Sequence, residues 1–449
     1  MPRAKGLERA IDRVPRNRKI AHARGLAAYA VDGQTPKAVV FPNTVEEVSH
    51  LLSAADKDGK AVVPWGGGTG MELGNLAARV DLVIGTSRLN RVVEHEPADL
   101  TVIVEGGTTL GALQEELGRS GQFLPLDPPM SEDATIGGIL ATNASGPRRA
   151  QFGTARDRLI GIKVVHPNGD ITKGGGKVVK NVSGYDMNKL YTGSLGTLGI
   201  IVEAAFKVAP RFKEERTLLV LCQSLDVAAH LALDIPKTGV QPVALQLLDA
   251  DALASVASEV VEIDGYRGYA LVLELGGTSP SLSSQEREVR SLCDERPVEV
   301  SLLQEGEGPG KMWAGIRDMG RGGGRRATMI VKTTSLPTQV AGMIEGIHSL
   351  DGEYDMGCGV SSNITSGVTY SYWWKEDEAG EGLKDIVEGL RKLAADLQGH
   401  CVVEVCPTQL KGVIDVWGSS GPQALLMRRI KEQFDPRGTL NPGRFVDGI

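Results

Sequence analysis

The first half of the chain alternates short apolar runs with longer segments in which apolar residues recur at helical spacing. The run at 38–41 predicts a strand, and the periodic segment from Thr44 to Asp58 predicts a helix. Thr44 is the expected N-cap, and Glu47 three residues later completes the pattern of a capping box. The other elements predicted up to residue 211 are strands at 61–63, 81–84, 91–95, 101–105 and 200–208, a helix at 110–120 closed by Gly121, and a hairpin of 162–166 and 171–173.

The second half continues the alternation, and its tail is rich in proline and glycine. Predicted strands lie at 217–223, 243–248, 268–275, 298–303 and 328–332, and predicted helices at 226–233, 281–294, 338–348 and 380–397. The tail from Met427 predicts a helix, then the segment FDPRGTLNPGRF, which tertiary contacts must hold in place. Strands joined both by hairpins and by helices predict an α+β fold. The expected boundaries are a charged lead-in at 1–36, domains at 37–211 and 212–410, and a C-terminal segment at 411–449.

Composition narrows the class of protein. A chain of 449 residues with 41% hydrophobic residues can bury a large core, and its net charge of −7 offers no basic surface for nucleic acid. The basic N-terminus lacks the apolar core of a secretory signal, and no apolar run approaches the roughly 20 residues of a membrane span. Five scattered cysteines indicate free thiols in a reducing cytoplasm, and their spacing fits neither a zinc nor an iron–sulfur site.

The stretch Val62–Asn75, VVPWGGGTGMELGN, places almost pure backbone after a predicted strand. Successive N–H groups of such a loop form a concavity that attracts an anion, and no Lys or Arg lies within it. The stretch lacks the Lys and hydroxyl of a kinase-type phosphate loop, and the short segment after it does not predict the helix of a nicotinamide-dinucleotide loop. A diphosphate held by backbone amides is therefore one interpretation, and a plain turn is the other.

Two further blocks are rich in glycine and small polar residues. The block 125–153 is too long for an ordinary structureless loop, although a surface loop remains the alternative. The block 174–210 contains GSLGTLG at 193–199, directly before the strand predicted at 200–208. Three separate blocks predict one long ligand contacted along its length, and a flavin dinucleotide is such a ligand.

Several motifs in fixed order resemble a known family. They are PWGGGT…LGN, LDPP, ATIGG…N-x-SG, FG-x-x-RD, GGKVVKNVSGYD-x-x-KL, GSLGTLGII and FDPRGTLNPGRF. The pattern is similar to the vanillyl-alcohol-oxidase (PCMH) type of FAD-binding oxidoreductases, and within it to the smaller FAD-binding subunit of bacterial glycolate oxidase (glycolate dehydrogenase). The resemblance implies a flavin domain of two α+β subdomains, a cap domain with an antiparallel sheet and helices, and a C-terminal segment that returns to the flavin domain.

The resemblance also implies which residues hold FAD. Those expected to cradle its diphosphate are Trp65, Gly66, Gly67, Gly68 and Thr69. Those expected beside its ribityl chain and ring are Asp127, Thr135, Gly137, Gly138, Asn143, Gly146 and Gly153. Gly199, Ile200 and Ile201 are expected at the adenosine side, and Asn441 near the flavin ring. Related proteins with covalent flavin use His or Cys as the attachment point, and 62–75 and 125–153 contain neither, so non-covalent FAD is expected.

The implied activity is oxidation of a small 2-hydroxy acid, with electrons passing through FAD to an acceptor. Relatives in the superfamily carry H-x-G-D-G-N-x-H and E-H-G-x-G-x-x-K, whose histidines help to build a substrate or metal site. The comparable stretches here, Asp355–Tyr372 and Val403–Lys411, contain no histidine, so no catalytic base is assigned and no metal is expected. In the family this subunit works with a second flavoprotein and an iron–sulfur subunit.

Several side chains are candidates for substrate or flavin contacts, each with an ordinary alternative. Arg317 and Lys332 could bind a carboxylate or be solvated surface residues. Aromatic residues Tyr370, Tyr372, Trp373 and Trp374 could face the flavin or belong to the core. Lys177, Lys180, Tyr185 and Asp186 could close the flavin pocket or pack the subdomains together. Two other functions remain open: an FAD-binding assembly or relay subunit without turnover, and a stand-alone flavin alcohol oxidase.

Overall fold

The computed structural model describes residues 6–176, 185–257, 260, 265–294, 296–303, 307–322, 325–374, 381–418 and 421–449. Their contacts divide the chain into two compact units. Unit 1 consists of Met1–Ala144, Thr154–Arg211 and Ser419–Ile449, and unit 2 consists of Ser145–Gly153 and Phe212–Gly418. The chain therefore contributes a short segment to unit 2, returns to unit 1, and then forms most of unit 2 in its second half.

The α-helices and strands of the described residues are numbered here in chain order. The helices are α1 Gly6–Arg13, α2 Ala23–Ala27, α3 Val45–Lys57, α4 Leu110–Gly118, α5 Ile136–Thr142, α6 Arg149–Phe152, α7 Ala155–Arg158, α8 Met187–Tyr191, α9 Leu225–Asp234, α10 Ala250–Ala257, α11 Ser279–Asp294, α12 Gly308–Asp318, α13 Val340–Tyr354, α14 Glu381–Asp396, α15 Thr408–Lys411 and α16 Gln423–Phe434. The strands are β1 Lys19–Ile20, β2 Ala38–Val40, β3 Val62–Trp65, β4 Leu82–Gly85, β5 Val92–Glu96, β6 Thr101–Glu105, β7 Gln122–Phe123, β8 Leu159–Val165, β9 Ile171–Gly175, β10 Ile200–Lys207, β11 Ala209–Pro210, β12 Glu214–Cys222, β13 Ala244–Leu248, β14 Tyr269–Gly277, β15 Val298–Leu303, β16 Met329–Thr334, β17 Cys358–Asn363, β18 Val368–Trp373 and β19 His400–Val405.

Unit 1 is built on two main sheets. The first has the order β1-β2-β4-β3, in which β4 is parallel to both β2 and β3, and the second has the order β5-β6-β10-β8-β9 with antiparallel pairs throughout. Neighbouring residues of β10 point to opposite sides: Ile200 joins the core around α3 and the first sheet, and Ile201 joins the core around α4 and α5. Strand β10 therefore contributes to two cores, as a strand buried on both faces must.

The helix that connects β2 to β3 shows how local sequence sets an element boundary. The Thr44 hydroxyl accepts a hydrogen bond from the Glu47 N–H at 3.2 Å, so the predicted N-cap of α3 is confirmed. The reciprocal half of the predicted capping box is wrong. The Glu47 carboxylate instead accepts from the Asn43 N–H at 2.7 Å and pairs with Arg18, also at 2.7 Å. The lead-in segment thereby supplies a partner that the local pattern did not predict.

Unit 2 is an antiparallel sheet of eight strands in the order β15-β12-β14-β13-β17-β18-β16-β19. Its two faces form separate cores. One core includes residues of α9, α11, α13 and α14, and the other includes residues of α10 and α12. The predicted α+β class, with two mixed subdomains and a cap built on an antiparallel sheet with helices, is confirmed. No helix in the described ranges combines the length and apolar character needed to cross a membrane.

A buried histidine makes the stability of unit 1 depend on pH. The His166 ring lies 2.8 Å from the Thr172 hydroxyl and 3.3 Å from the Leu198 carbonyl oxygen, and burial lowers the pKa of His166. Because the unfolded chain binds this proton more readily, unfolding is favoured as pH falls below about 6.5. We expect the free energy of unfolding to decrease from pH 7 to pH 5, because lowering a pKa by one corresponds to about 1.4 kcal/mol. Urea denaturation across that range measures it.

The His166→Gln variant is the control, since an amide at this position does not titrate. Its stability should lack this component of the acid-dependent loss, whatever its stability at neutral pH. An identical pH dependence in the variant and the wild-type protein would show that other groups cause the loss.

Candidate functional site

The glycine loop after β3 lies directly against the start of α5. A Cβ atom built on Gly66 would stand 2.1 Å from the Thr135 hydroxyl oxygen, and one built on Gly67 would stand 1.9 Å from the Asp133 carbonyl oxygen. Gly68 has a φ of +81°, which other residues rarely adopt. The first and second glycine-rich blocks thus approach closely at positions where any side chain would separate them.

Thr135 sets the geometry where α5 begins. Its hydroxyl accepts from the Gly138 N–H at 3.3 Å, and the Gly137 N–H donates to the Gly106 carbonyl at 2.7 Å. A Cβ on Gly137 would lie 2.9 Å from that carbonyl oxygen and 3.2 Å from the Ile201 carbonyl oxygen. Helix α5 therefore packs at Gly137 against the backbone of β10 and the backbone that follows β6.

The third glycine-rich block, 174–210, contacts the C-terminal end of α5. The Gly193 N–H donates to the Leu140 carbonyl at 2.8 Å, and the Leu195 N–H donates to the Ala141 carbonyl at 2.7 Å. Asn143 ends the helix in the left-handed conformation, with φ of 51°. The last turn of α5 and the loop before β10 are consequently held together by main-chain hydrogen bonds.

The C-terminal segment joins the same region. Leu440 forms a parallel bridge with Val62 in β3, and the Asn441 N–H donates to the Val62 carbonyl at 3.0 Å. The Asn441 side-chain amide donates to the Leu195 carbonyl at 2.6 Å. Arg444, buried to 2% exposure, donates to carbonyls of the glycine-loop stretch. Burial lowers the pKa of its guanidinium, a cost that these hydrogen bonds offset.

The residues expected to hold the cofactor do not all belong to one unit. Fourteen of the sixteen lie in unit 1, and Gly146 and Gly153 lie in unit 2. Between these two glycines, Arg148 pairs through its guanidinium with both carboxylate oxygens of Glu274 in unit 2, at 2.8 and 3.0 Å. The side chains of Ile200 and Ile201 are in the core, so any ligand contact they make would be through their backbone.

Five buried side-chain oxygens in unit 1 have no hydrogen-bond partner among the described residues. They belong to Thr108, Asn143, Asn188, Ser194 and Asn441. Buried polar atoms are nearly always paired, and leaving one unpaired costs about 1–3 kcal/mol. Asn143 and Asn441 are among the residues expected to hold the cofactor, and Thr108 and Asn188 are not. Ser194 was not among the residues predicted from the sequence, because only its side-chain environment distinguishes it from other loop serines.

Unit 2 carries a separate group of cations. The Lys332 Nζ lies 4.0 Å from Glu404 Oε1 and 6.0 Å from the centre of the Tyr370 ring, and Glu404 also pairs with Arg321. Burial is the main cause that lowers the pKa of Lys332; Glu404 opposes the shift, and Arg149 and Arg321 add to it. The Lys332 side chain remains 27% exposed, so this partly buried group can accept an anion.

The other candidates from the sequence have ordinary surroundings. Arg317 lies on α12 and pairs with Asp318 at 2.8 Å. Trp373 is fully buried in one core of unit 2, and Tyr372 and Trp374 are in the other, so the core interpretation is confirmed for all three. Tyr185 is 94% exposed.

Asp186 pairs with Lys189 at 3.0 Å. Lys177 and Lys180 lie outside the described residues. All five cysteines are buried free thiols in unit 2. Burial raises the pKa of Cys222 and of Cys401 to about 12, so neither is a thiolate at neutral pH.

Two family models match most of the chain. One, described as an FAD binding domain, matches residues 36–175. The other, described as the C-terminal domain of FAD linked oxidases, matches residues 211–404 and 419–445. The second match is interrupted near the point where the chain leaves unit 2 for the last time.

Individual proteins show the same likeness. The chain is 28% identical to glycolate oxidase subunit GlcD of Bacillus subtilis over 421 residues, covering 91% of this chain and 88% of that protein. It is 28% identical to a mitochondrial D-lactate dehydrogenase (cytochrome) of Arabidopsis thaliana, covering 92% and 73%. Among solved structures, p-cresol methylhydroxylase with bound substrate superposes with a TM-score of 0.80 at 15% identity, covering 98% and 96%, a likeness of fold.

Proposed function

Because the chain belongs to the FAD-linked oxidases, an FAD-dependent oxidoreductase family, we propose that it oxidises a small 2-hydroxy acid and passes the electrons to an acceptor or partner subunit. The observation that carries the proposal is the meeting of the three glycine-rich blocks and the C-terminal segment around α5. The names of the relatives, a glycolate oxidase subunit and D-lactate dehydrogenases, support a substrate that combines a carboxylate with a neighbouring hydroxyl.

The glycine loop of unit 1 fits the diphosphate of FAD. Close backbone approach at Gly66 and Gly67 leaves a loop of bare amides, which suits a diphosphate. FAD supplies the two-electron acceptor, and the protein supplies its position and surroundings. The stretches 62–75 and 125–153 contain neither His nor Cys, which supports non-covalent binding.

Unit 2 supplies the candidate carboxylate site. Lys332, Arg321 and Arg149 outnumber the single carboxylate of Glu404, and the ring of Tyr370 lies beside Lys332. A half-buried ammonium forms a stronger hydrogen bond to a carboxylate than a solvated one does, because less water competes. In the proposal, Lys332 binds and orients the substrate carboxylate.

Anaerobic mixing of the FAD-loaded protein with D-lactate or glycolate tests the reaction. We expect loss of the visible flavin absorbance with at least one of the two, since a bound 2-hydroxy acid would transfer two electrons. Unchanged absorbance with both acids, in protein that retains FAD, would instead support the relay function. The absence of histidine from Asp355–Tyr372 and Val403–Lys411 favours that second candidate.

Lys332→Met tests the carboxylate site. We expect the substrate concentration for half-maximal flavin reduction to rise roughly 10- to 100-fold, because one charge-assisted hydrogen bond contributes about 1.5–3 kcal/mol. Lys311→Met is the matched control, since Lys311 is 52% exposed and pairs with Glu307. Equal concentrations for Lys332→Met and the wild-type protein would remove Lys332 from the site.

A further inference from the structure

Lys332 and Tyr370 lie directly opposite each other on neighbouring strands of the sheet in unit 2. The antiparallel register of β16 with β18 pairs these two residues, so their side chains leave the same face of the sheet. The Lys332 Nζ lies 6.0 Å from the centre of the Tyr370 ring. Because the Cβ atoms of such a pair are about 5 Å apart, both side chains can reach one small ligand group.

Both side chains carry hydrogen-bond donors that the protein does not use. The Glu404 Oε1 atom is 4.0 Å from the Lys332 Nζ, beyond hydrogen-bond distance, and the other Glu404 oxygen pairs with Arg321. Within the part of the chain that the structure describes, neither the Lys332 ammonium nor the Tyr370 hydroxyl makes a hydrogen bond. Both side chains are only partly buried, so a ligand can reach them.

The ring of Tyr370 is held in place by its neighbours on β18 and beyond. It stacks on Tyr372 with ring centres 6.3 Å apart, and Tyr372 stacks on Trp374 at 6.4 Å. Tyr372 and Trp374 belong to the core that includes residues of α10 and α12, and Tyr370 packs against that core. A donor on a ring that is already packed loses little conformational freedom when a ligand binds.

The protonation state of Tyr370 determines what it can bind. Burial is the main cause that raises the pKa of Tyr370; Glu404 adds to the shift, and Arg321 and Arg149 oppose it. The phenol therefore keeps its proton at neutral pH, so Tyr370 is a hydrogen-bond donor and not a base. A neutral donor beside an ammonium suits a ligand group with two acceptor oxygens and a negative charge, which is a carboxylate.

We propose that the Tyr370 hydroxyl donates a hydrogen bond to the carboxylate of the substrate, so that Tyr370 and Lys332 each bind one carboxylate oxygen. The proposal rests on the proposed function, which assigns Lys332 to that carboxylate. It adds Tyr370 as a binding residue, and it makes the carboxylate, rather than the neighbouring hydroxyl, the group that this strand pair recognises.

Tyr370→Phe tests the proposal, because it removes the hydroxyl and keeps the ring. With D-lactate or glycolate, we expect the concentration for half-maximal flavin reduction to rise roughly 10- to 100-fold, the usual effect of losing one hydrogen bond to a charged group. The rate of reduction at saturation should change little, since the carboxylate is bound equally before and during the reaction. Without acid, the melting temperature should be unchanged or higher.

Tyr372→Phe is the matched control. It removes the same hydroxyl from the adjacent ring, which is 5% exposed and belongs to the core. This variant should keep the wild-type concentration for half-maximal reduction. An equal rise in Tyr370→Phe and Tyr372→Phe would mean that both act through packing of the aromatic rings, and would overturn the proposal.

Two unreactive acids separate recognition of the carboxylate from recognition of the hydroxyl. 2-Hydroxyisobutyrate has both groups and no hydrogen on its second carbon, and isobutyrate has the carboxylate alone. Calorimetric titration of the FAD-loaded protein should show that Tyr370→Phe weakens both acids by the same factor. Weakening of 2-hydroxyisobutyrate alone, or of neither acid, would overturn the proposal. A wild-type protein that retains FAD, binds neither acid and is not reduced by D-lactate or glycolate would instead refute the proposed function itself.

Discussion

Replacing Lys431 by methionine is expected to lower the free energy of unfolding of unit 1 by about 3–5 kcal/mol, the usual cost of removing one partner of a buried ion pair. The Lys431 ammonium donates to the carbonyls of Thr197 and Leu440 at 2.8 and 2.9 Å and to the Asp435 carboxylate at 2.6 Å. Asp435 is 2% exposed, so the variant would leave an unpaired charge in the core. Urea denaturation followed by circular dichroism measures the loss.

Two variants separate this charge effect from other causes. Glu432→Gln changes the adjacent, exposed residue of the same helix and should alter stability by less than about 0.5 kcal/mol. The double variant Lys431→Met/Asp435→Asn removes both charges and should recover part of the loss. A loss below about 1 kcal/mol for Lys431→Met is typical of surface ion pairs. It would show that the pair of Lys431 with Asp435 does not stabilise unit 1 as a buried ion pair.

Gly67→Ala is expected to weaken FAD binding roughly 30-fold. The added methyl group would stand 1.9 Å from the Asp133 carbonyl oxygen, so the glycine loop must move away from the second block. Forcing one extra methyl group into a packed contact costs about 1–3 kcal/mol, and about 2 kcal/mol corresponds to the stated loss. The ratio of flavin to protein absorbance after purification, and titration of the apoprotein, measure the effect.

Gly352→Ala is the control for the substitution itself. A Cβ on Gly352, in α13 of unit 2, meets nothing within 4 Å, and alanine favours a helix over glycine. This variant should keep a full complement of FAD. If Gly67→Ala also retains FAD at wild-type affinity while folding normally, the loop is a packing feature and the diphosphate must be held elsewhere.

The C-terminal segment explains why the expected effects of Lys431→Met and Gly67→Ala concern the same part of unit 1. Lys431 on α16 reaches the third glycine-rich block, and Asn441 reaches both β3 and that block. The segment therefore fixes the glycine loop and the loop before β10 relative to one another. Lys431→Met should therefore lower FAD affinity as well as the free energy of unfolding, whereas Gly67→Ala should act mainly on FAD affinity.

Local periodicity and turn residues were sufficient to predict most of the helices and strands. The helix after Thr44, the hairpin around Gly169 and the strand after Gly199 all lie within a few residues of their predicted places. The pattern failed for α12, whose three glycines and one proline argue against a helix, and for β17, whose buried serines do not alternate with apolar residues. There, packing against the rest of unit 2 outweighs local preference.

The candidate site was predictable in its glycine-rich backbone and not in its side-chain partners. Glycine runs reveal close approach because no other residue fits, so the three blocks were visible in the sequence. The pair of Arg321 with Glu404 and the role of Arg149 beside Lys332 were not, since nothing in their local sequence distinguishes them from surface charges. The place of Ser145–Gly153 in unit 2 was not predictable either, because its contacts, such as the pair of Arg148 with Glu274, join residues far apart in the sequence.

The sequence by itself determined the α+β class, the family and the order of its motifs, because periodicity, caps and glycine loops act over a few residues. The tertiary structure alone decided which polar atoms remain unpaired and which distant groups meet. Asn441 and Leu195 are 246 positions apart, and Lys431 and Thr197 are 234 apart. Such pairs follow from how strands and helices stack in three dimensions, so no pattern along the chain specifies them.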